Sequence, residues 1–81
     1  MPEDVRDLLE YIARELVDEP DAVRVEEVRD DRGVILTLHV APDDIGKVIG
    51  RGGRTARAIR SVLKAAGVRA GIRHTAVEIA D

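Results

Sequence analysis

The sequence predicts an α+β fold in two layers: a three-stranded mixed sheet with three helices packed on one face, in the order helix, strand, strand, helix, helix, strand. Three observations lead there. Residues 3–17 carry apolar side chains on a helical period. Segments 34–41 and 72–80 alternate apolar and polar residues on a period of two. Between those two segments lie two helical stretches broken by a glycine cluster, a connection suited to a crossover rather than a hairpin. At 81 residues the chain is expected to form one domain, 1–81, with a thin core.

Each element has its own reason. In 3–17, Val5, Leu8, Leu9, Ile12, Ala13, Leu16 and Val17 fall on one helical stripe, and Glu3, Asp4 and Asp7 suit the positive end of the dipole. Asp18-Glu19-Pro20-Asp21 ends that helix. Residues 22–29 read as a strand with Val23 and Val25 on one face. Val28 has the opposite parity and predicts a bulge or early fraying. Asp30-Asp31-Arg32-Gly33 is a hairpin turn, with glycine free to take positive φ. In 34–41, Val34, Leu36, Leu38 and Val40 point inward, and Ile35, Thr37 and His39 outward. Pro42-Asp43-Asp44 opens a short helix that reaches about Ile49. A further helix is expected over 54–66, with Ile59, Val62, Leu63 and Ala66 on one side, Arg54, Arg57, Arg60 and Lys64 on the other, and Gly67 as its stop. Residues 72–80 form the last strand, with Thr75, Val77 and Ile79 inward. The hairpin makes the first two strands antiparallel, and a right-handed crossover sets the second and third parallel.

Composition narrows the function. A chain 44% hydrophobic and 36% charged belongs with folded proteins. It holds no cysteine, so disulfides and thiolate metal sites are excluded. Its apolar runs are too short for a membrane span or a signal-peptide core, and a cytoplasmic location is the expectation. Tyr11 is the single aromatic, which argues against modules that stack bases on aromatic rings. The net charge of −3 conceals a division: 14 Asp+Glu against 5 Lys+Arg in residues 1–44, and 2 against 8 in residues 45–81. No acid occurs from Ile45 to Val77. On charge alone this is either an anion-seeking surface or a solvated basic helix face.

The stretch Val48-Ile49-Gly50-Arg51-Gly52-Gly53-Arg54-Thr55-Ala56-Arg57-Ala58-Ile59 carries the chemistry. Glycines let the backbone turn sharply and approach a ligand closely. Loop amides, the free N–H groups of a new helix and nearby arginines together suit phosphate. A Walker A loop does not fit, because Gly46-Lys47 is followed by Val48 and Ala41 stands five residues before Gly46. A dinucleotide fingerprint does not fit either, because Thr55 stands where the third glycine belongs and a helix precedes the loop.

What remains is an apolar residue followed by Ile-Gly-x-x-Gly between two short helices. This resembles the KH domain, whose GXXG loop clamps about four single-stranded nucleotides. Val48, Ile49, Gly50, Gly53 and Ile59 match that motif's fixed positions, and Arg51 and Gly52 are its variable pair. Gly52 departs from the polar residue often found there, which removes one phosphate contact without blocking the loop. With the leading helix and strand, the order resembles the type II arrangement. VAPDDIGKVIGRGGRTARAIR is similar to small bacterial RNA-binding proteins made of one such domain. The resemblance implies a non-enzymatic binder of single-stranded RNA, an RNA chaperone or post-transcriptional regulator linked to cell-wall homeostasis and cell shape. It also implies a homodimer or a complex with a second, larger KH protein. Gly50, Arg51, Gly52 and Gly53 would grip the sugar-phosphate backbone, with Lys47, Arg54 and Arg57 near the loop, and Val48 and Ile49 beside it. Ile45, Val48, Ile49 and Ile59 match apolar positions that floor the groove or fill the core. Arg60 and Lys64, more distant, read as a solvated face.

Other candidates are weaker. His39 and His74 share the outward parity of their strands, and close approach beside Glu78 would allow a metal, though two exposed histidines need no such role. The acidic pairs Glu26-Glu27, Asp30-Asp31 and Asp43-Asp44 suit a strand, a turn and a helix start. Tyr11 lies at the edge of the first stripe. No catalytic residue, metal ligand set or cofactor is expected. The rival reading is a KH-like protein-interaction module or ribosome-associated factor, for which the glycines and arginines would be superfluous.

Overall fold

Helix α1 (Val5–Leu16) begins where Asp4 accepts the Arg6 backbone N–H at 2.8 Å, an N-cap that satisfies one free donor of the first turn. A computed structural model describes residues 2–81. The stripe buries Val5, Leu8, Leu9 and Ala13. Leu16, in the last position, stays exposed where the chain leaves for a 3₁₀ turn at Pro20–Ala22.

Strands β1 (Arg24–Asp30) and β2 (Gly33–His39) pair antiparallel in unbroken register, from Arg24 opposite His39 to Asp30 opposite Gly33. The expected bulge at Val28 is absent. Val28 lies opposite Ile35 on the uncovered face, and both are exposed, so an apolar cross-strand pair replaces the kink. The turn is tied by the Asp30 carboxylate, which accepts from the backbone N–H of Arg32 at 2.8 Å and of Gly33 at 3.2 Å.

After a 3₁₀ turn (Pro42–Asp44) come α2 (Ile45–Ile49), the glycine loop and α3 (Arg54–Arg69). Helix α3 outruns its expected end. Gly67 is buried inside it, facing Thr75, and lets helix and strand approach. The stop falls at Gly71, with φ 80°: its N–H reaches the Val68 carbonyl at 3.0 Å, and the Ile72 N–H reaches the Gly67 carbonyl at 2.8 Å, the Schellman pattern. Val62, expected in the core, is half exposed, while Ala56, Ile59, Leu63 and Gly67 form the buried stripe. Strand β3 (Thr75–Ile79) is shorter than 72–80, because Ile72 packs on the core from the loop.

Strand β3 lies parallel to β2, giving the order β1-β2-β3 with β2 in the centre. The helices cover one face. Leu9 of α1, Leu36 and Leu38 of β2, Val48 of α2 and Leu63 of α3 are fully buried between the layers. That core fixes α2 and α3 against the sheet and so positions the loop between them. No helix among the described residues is long and apolar enough to cross a membrane.

Candidate nucleic-acid interface

The loop takes a conformation that side chains resist. Gly50 (φ 75°, ψ 170°), Gly52 (φ 65°, ψ 18°) and Gly53 (φ 78°, ψ 12°) all have positive φ. The Gly50 N–H ends α2 on the Gly46 carbonyl at 2.9 Å, and the Gly53 N–H closes the turn on the Gly50 carbonyl at 3.1 Å. A Cβ at Gly50 would collide with Thr55. Arg51 and Gly52 form the exposed tip, and α3 starts directly behind them. Helix α3 therefore points its positive dipole end at the tip. The Arg57 guanidinium donates to the Gly52 carbonyl at 3.1 Å, which ties the loop to the first turns of α3.

The other expected site residues divide. Arg54 is exposed beside the loop, and Ile49 is partly exposed. Val48 is fully buried, so its side chain belongs to the core and offers no surface to a ligand. Ile59 is likewise core, and Ile45 is half-buried. Lys47 is engaged: its ammonium lies 3.3 Å from Asp18 and 3.6 Å from Asp44. These contacts, the Asp18 hydrogen bond foremost, raise its pKa. Asp44 stands at the N-cap of α2, as expected of a helix-start acid, and is also buried, accepting the backbone N–H groups of Asp18 at 3.3 Å and Glu19 at 3.0 Å. It clasps the α1–β1 connection to the start of α2. Burial pushes its carboxyl up. The two amides and Lys47 outweigh burial and hold it below the ordinary carboxylate value.

The sign of the pH effect follows. A carboxyl held low stabilises the fold above its ordinary pKa, and that contribution is lost as pH falls through the depressed folded-state value. Thermal melts from about pH 7 down to about pH 2 should show wild type losing stability in acid more steeply than an Asp44→Asn variant. At neutral pH the variant should melt several degrees lower. Parallel acid profiles would show that Asp44 is not the responsible group.

A groove of about 280 Å³ runs beside α3, bordered by Arg60, Ser61 and Lys64 of the helix and by Thr75, Ala76 and Val77 of β3. Arg60 and Lys64 are exposed, as a solvated face requires, and also border this cleft. Arg60 donates through Nε to the Val77 carbonyl at 3.1 Å, a contact that sequence reasoning missed because the residues lie 17 apart. The acid-paired bases Arg6, Arg14, Arg24, Arg29 and Lys47 all precede the loop tip. Among the described residues Arg51, Arg54, Arg57, Arg60, Lys64, Arg69 and Arg73 make no salt bridge, so the positive potential of this half is not cancelled locally.

The histidines do not meet. His39 lies at the β2 end opposite Arg24 and contacts Glu26, whereas the His74 carbonyl receives the Val34 N–H at the other end of the sheet. No group of three His, Cys, Asp or Glu residues among the described residues is placed to hold a metal.

An α-β-β-α-α-β chain with this mixed sheet, and a GXXG loop joining two helices on one face, is a type II KH domain. More particularly, the chain belongs to the KhpA/KhpB KH-domain family, whose model matches residues 6–79. It is 57% identical over 65 residues to the RNA-binding protein KhpA of Clostridium acetobutylicum, covering 80% of this chain and 87% of that one. It is 50% identical over 77 residues to the RNA-binding protein KhpA of Mycobacterium bovis, covering 95% and 91%. Against the RNA-binding protein KhpA of Halalkalibacterium halodurans the identity is 55% over 62 residues, covering 76% and 82%. The family is one of binding modules, not enzymes.

Proposed function

We propose that this chain binds single-stranded RNA, with the Gly50–Gly53 loop clamping phosphates and the α3–β3 groove receiving the bases. The observation that carries the reading is the loop itself: three positive-φ glycines present Arg51 at an exposed tip, ahead of a helix whose bases have no acid partners. Relatives carrying the RNA-binding name support it. A cleft of about 280 Å³ has room for splayed bases of a single strand rather than for a duplex.

Single-stranded RNA should bind more tightly than a duplex of equal length, as read by fluorescence anisotropy. Affinity should fall with salt at about −0.7 in log–log slope per phosphate contact, so near −2 to −3 for three or four contacts. Equal or tighter duplex binding would overturn the single-strand reading, and absent or salt-independent binding would overturn it in favour of a protein-interaction module.

One such groove spans few nucleotides and gives weak affinity, so a useful RNA-binding device joins two. The working state in this reading is therefore a homodimer, a complex with a KhpB-like KH protein, or both. The cellular role that fits is cytoplasmic RNA chaperoning or post-transcriptional regulation bearing on cell-wall biogenesis and cell shape. The family description, which joins KhpA with KhpB, supports the choice of partner.

A further inference from the structure

We propose that Arg60 determines specificity in the α3–β3 groove, making it accept guanine and reject adenine; the proposal rests on the single-stranded RNA reading above.

The argument begins at the outer edge of β3. The His74 carbonyl receives the Val34 N–H, and the Ala80 N–H reaches the Leu38 carbonyl, so even-numbered residues of β3 turn their backbone groups toward β2. The backbone groups of Thr75, Val77 and Ile79 therefore face outward, along the groove. An outward strand residue offers a donor next to an acceptor. At Val77 one lone pair of that acceptor is already engaged, because Arg60 Nε donates to its carbonyl at 3.1 Å. Beside that partly engaged acceptor the groove presents the terminal N–H groups of the guanidinium.

Those N–H groups are free to meet a ligand. Arg60 pairs with no acid, and its terminal nitrogens make no hydrogen bond among the described residues. A guanidinium carries five N–H donors in a rigid plane, and anchoring Nε fixes that plane before any ligand arrives. Lys64, on the same rim, also donates and never accepts. The Val77 step is thus flanked by the donors of Arg60 and Lys64, with the Ser61 hydroxyl, which donates or accepts, on the same rim.

A base matched to donors must offer adjacent acceptors. Guanine does so with N7 and O6, the pair that arginine contacts in a bidentate manner. Adenine has the same ring size but sets an N6 amino donor beside N7. Against Arg60 that amino group would lie donor to donor. At Val77 the carbonyl already carries the Arg60 bond, so the adenine amino group meets a partly engaged acceptor there beside the repelling guanidinium donors.

The test uses octauridine with one central guanosine, inosine or adenosine, read by fluorescence anisotropy at low salt. Inosine keeps O6 and N7 and lacks the guanine amino group, so it isolates the edge in question. Guanosine and inosine should bind about tenfold or more tightly than adenosine. In Arg60→Lys, which keeps the charge and loses the planar fork, the guanosine-to-adenosine ratio should fall to near one, with circular dichroism confirming the fold. Equal binding of all three oligonucleotides by wild type would overturn the proposal and leave RNA binding standing. Persistence of the ratio in Arg60→Lys would overturn the role of Arg60. Failure of every oligonucleotide, octauridine included, to bind at all would instead overturn the RNA reading itself.

Discussion

Replacing Arg51 and Gly52 together with aspartate is expected to abolish RNA binding while leaving the fold intact. Both residues form the exposed tip of the loop and neither contributes to the core. A Cβ at Gly52 meets no atom within 4 Å, so space is available. The conformation there (φ 65°, ψ 18°) is left-handed, which aspartate tolerates better than most residues at a cost of about 1 kcal/mol. The double change removes one positive charge and adds two negative ones where phosphates are proposed to sit. Like charges in contact cost several kcal/mol, so affinity should fall at least about a hundredfold. Anisotropy with a short single-stranded RNA measures the loss, and circular dichroism with a thermal melt checks the fold. Undiminished binding by a folded variant would remove the loop from the RNA site.

The two rarest local patterns carried most of the fold. Strict alternation in 34–41 and the glycine spacing at 50–53 each admit few backbones; the strand forms, though it runs over Gly33–His39 and stops short of Val40 and Ala41, and the glycines form a tight turn. Patterns that depend on a neighbour were less legible. Val28 signalled its face correctly, but nothing local told whether an apolar residue there bends the strand or pairs with Ile35 across it. Gly67 looked like a stop because glycine often follows a helix. The fold uses its missing side chain for close approach to Thr75, and the stop moves to Gly71. Val62 lies within the apolar sector of the wheel, but α3 is rolled so that Ala56 and Gly67 are buried and Val62 is not. The site shows the same limit. Loop residues were legible because their chemistry is contiguous, whereas the Asp44 clasp joins residues 25 and 26 apart and the Arg60–Val77 contact joins residues 17 apart. The charge division told that the second half is basic. Only the placement of the acids shows that Lys47 is neutralised and the bases from Arg51 to Arg73 are not.

Gly33→Ala is expected to be among the most destabilising single-atom additions in this chain, and Gly46→Ala, by contrast, neutral or stabilising. Gly33 opens β2 with φ 155°, a region essentially reserved for glycine. A Cβ there would collide with the backbone carbonyl of His74, which accepts the Val34 N–H at 2.9 Å and starts the β2–β3 pairing. The collision is with main chain on a neighbouring strand, so no side-chain rotation relieves it. Backbone strain and forced displacement together amount to about 3 kcal/mol or more. In a domain of this size each 1 kcal/mol moves Tm by roughly 4–8 °C, so a fall of the order of 10–20 °C is expected. Gly46 sits inside α2 without positive φ, and a Cβ there meets nothing within 4 Å. Alanine at that position restricts the unfolded chain and should add roughly 0.4–1 kcal/mol. Thermal melts of the two variants beside wild type decide the matter. A drop for Gly46→Ala equal to that for Gly33→Ala would show that the contact with His74 is not what makes glycine necessary at the hairpin.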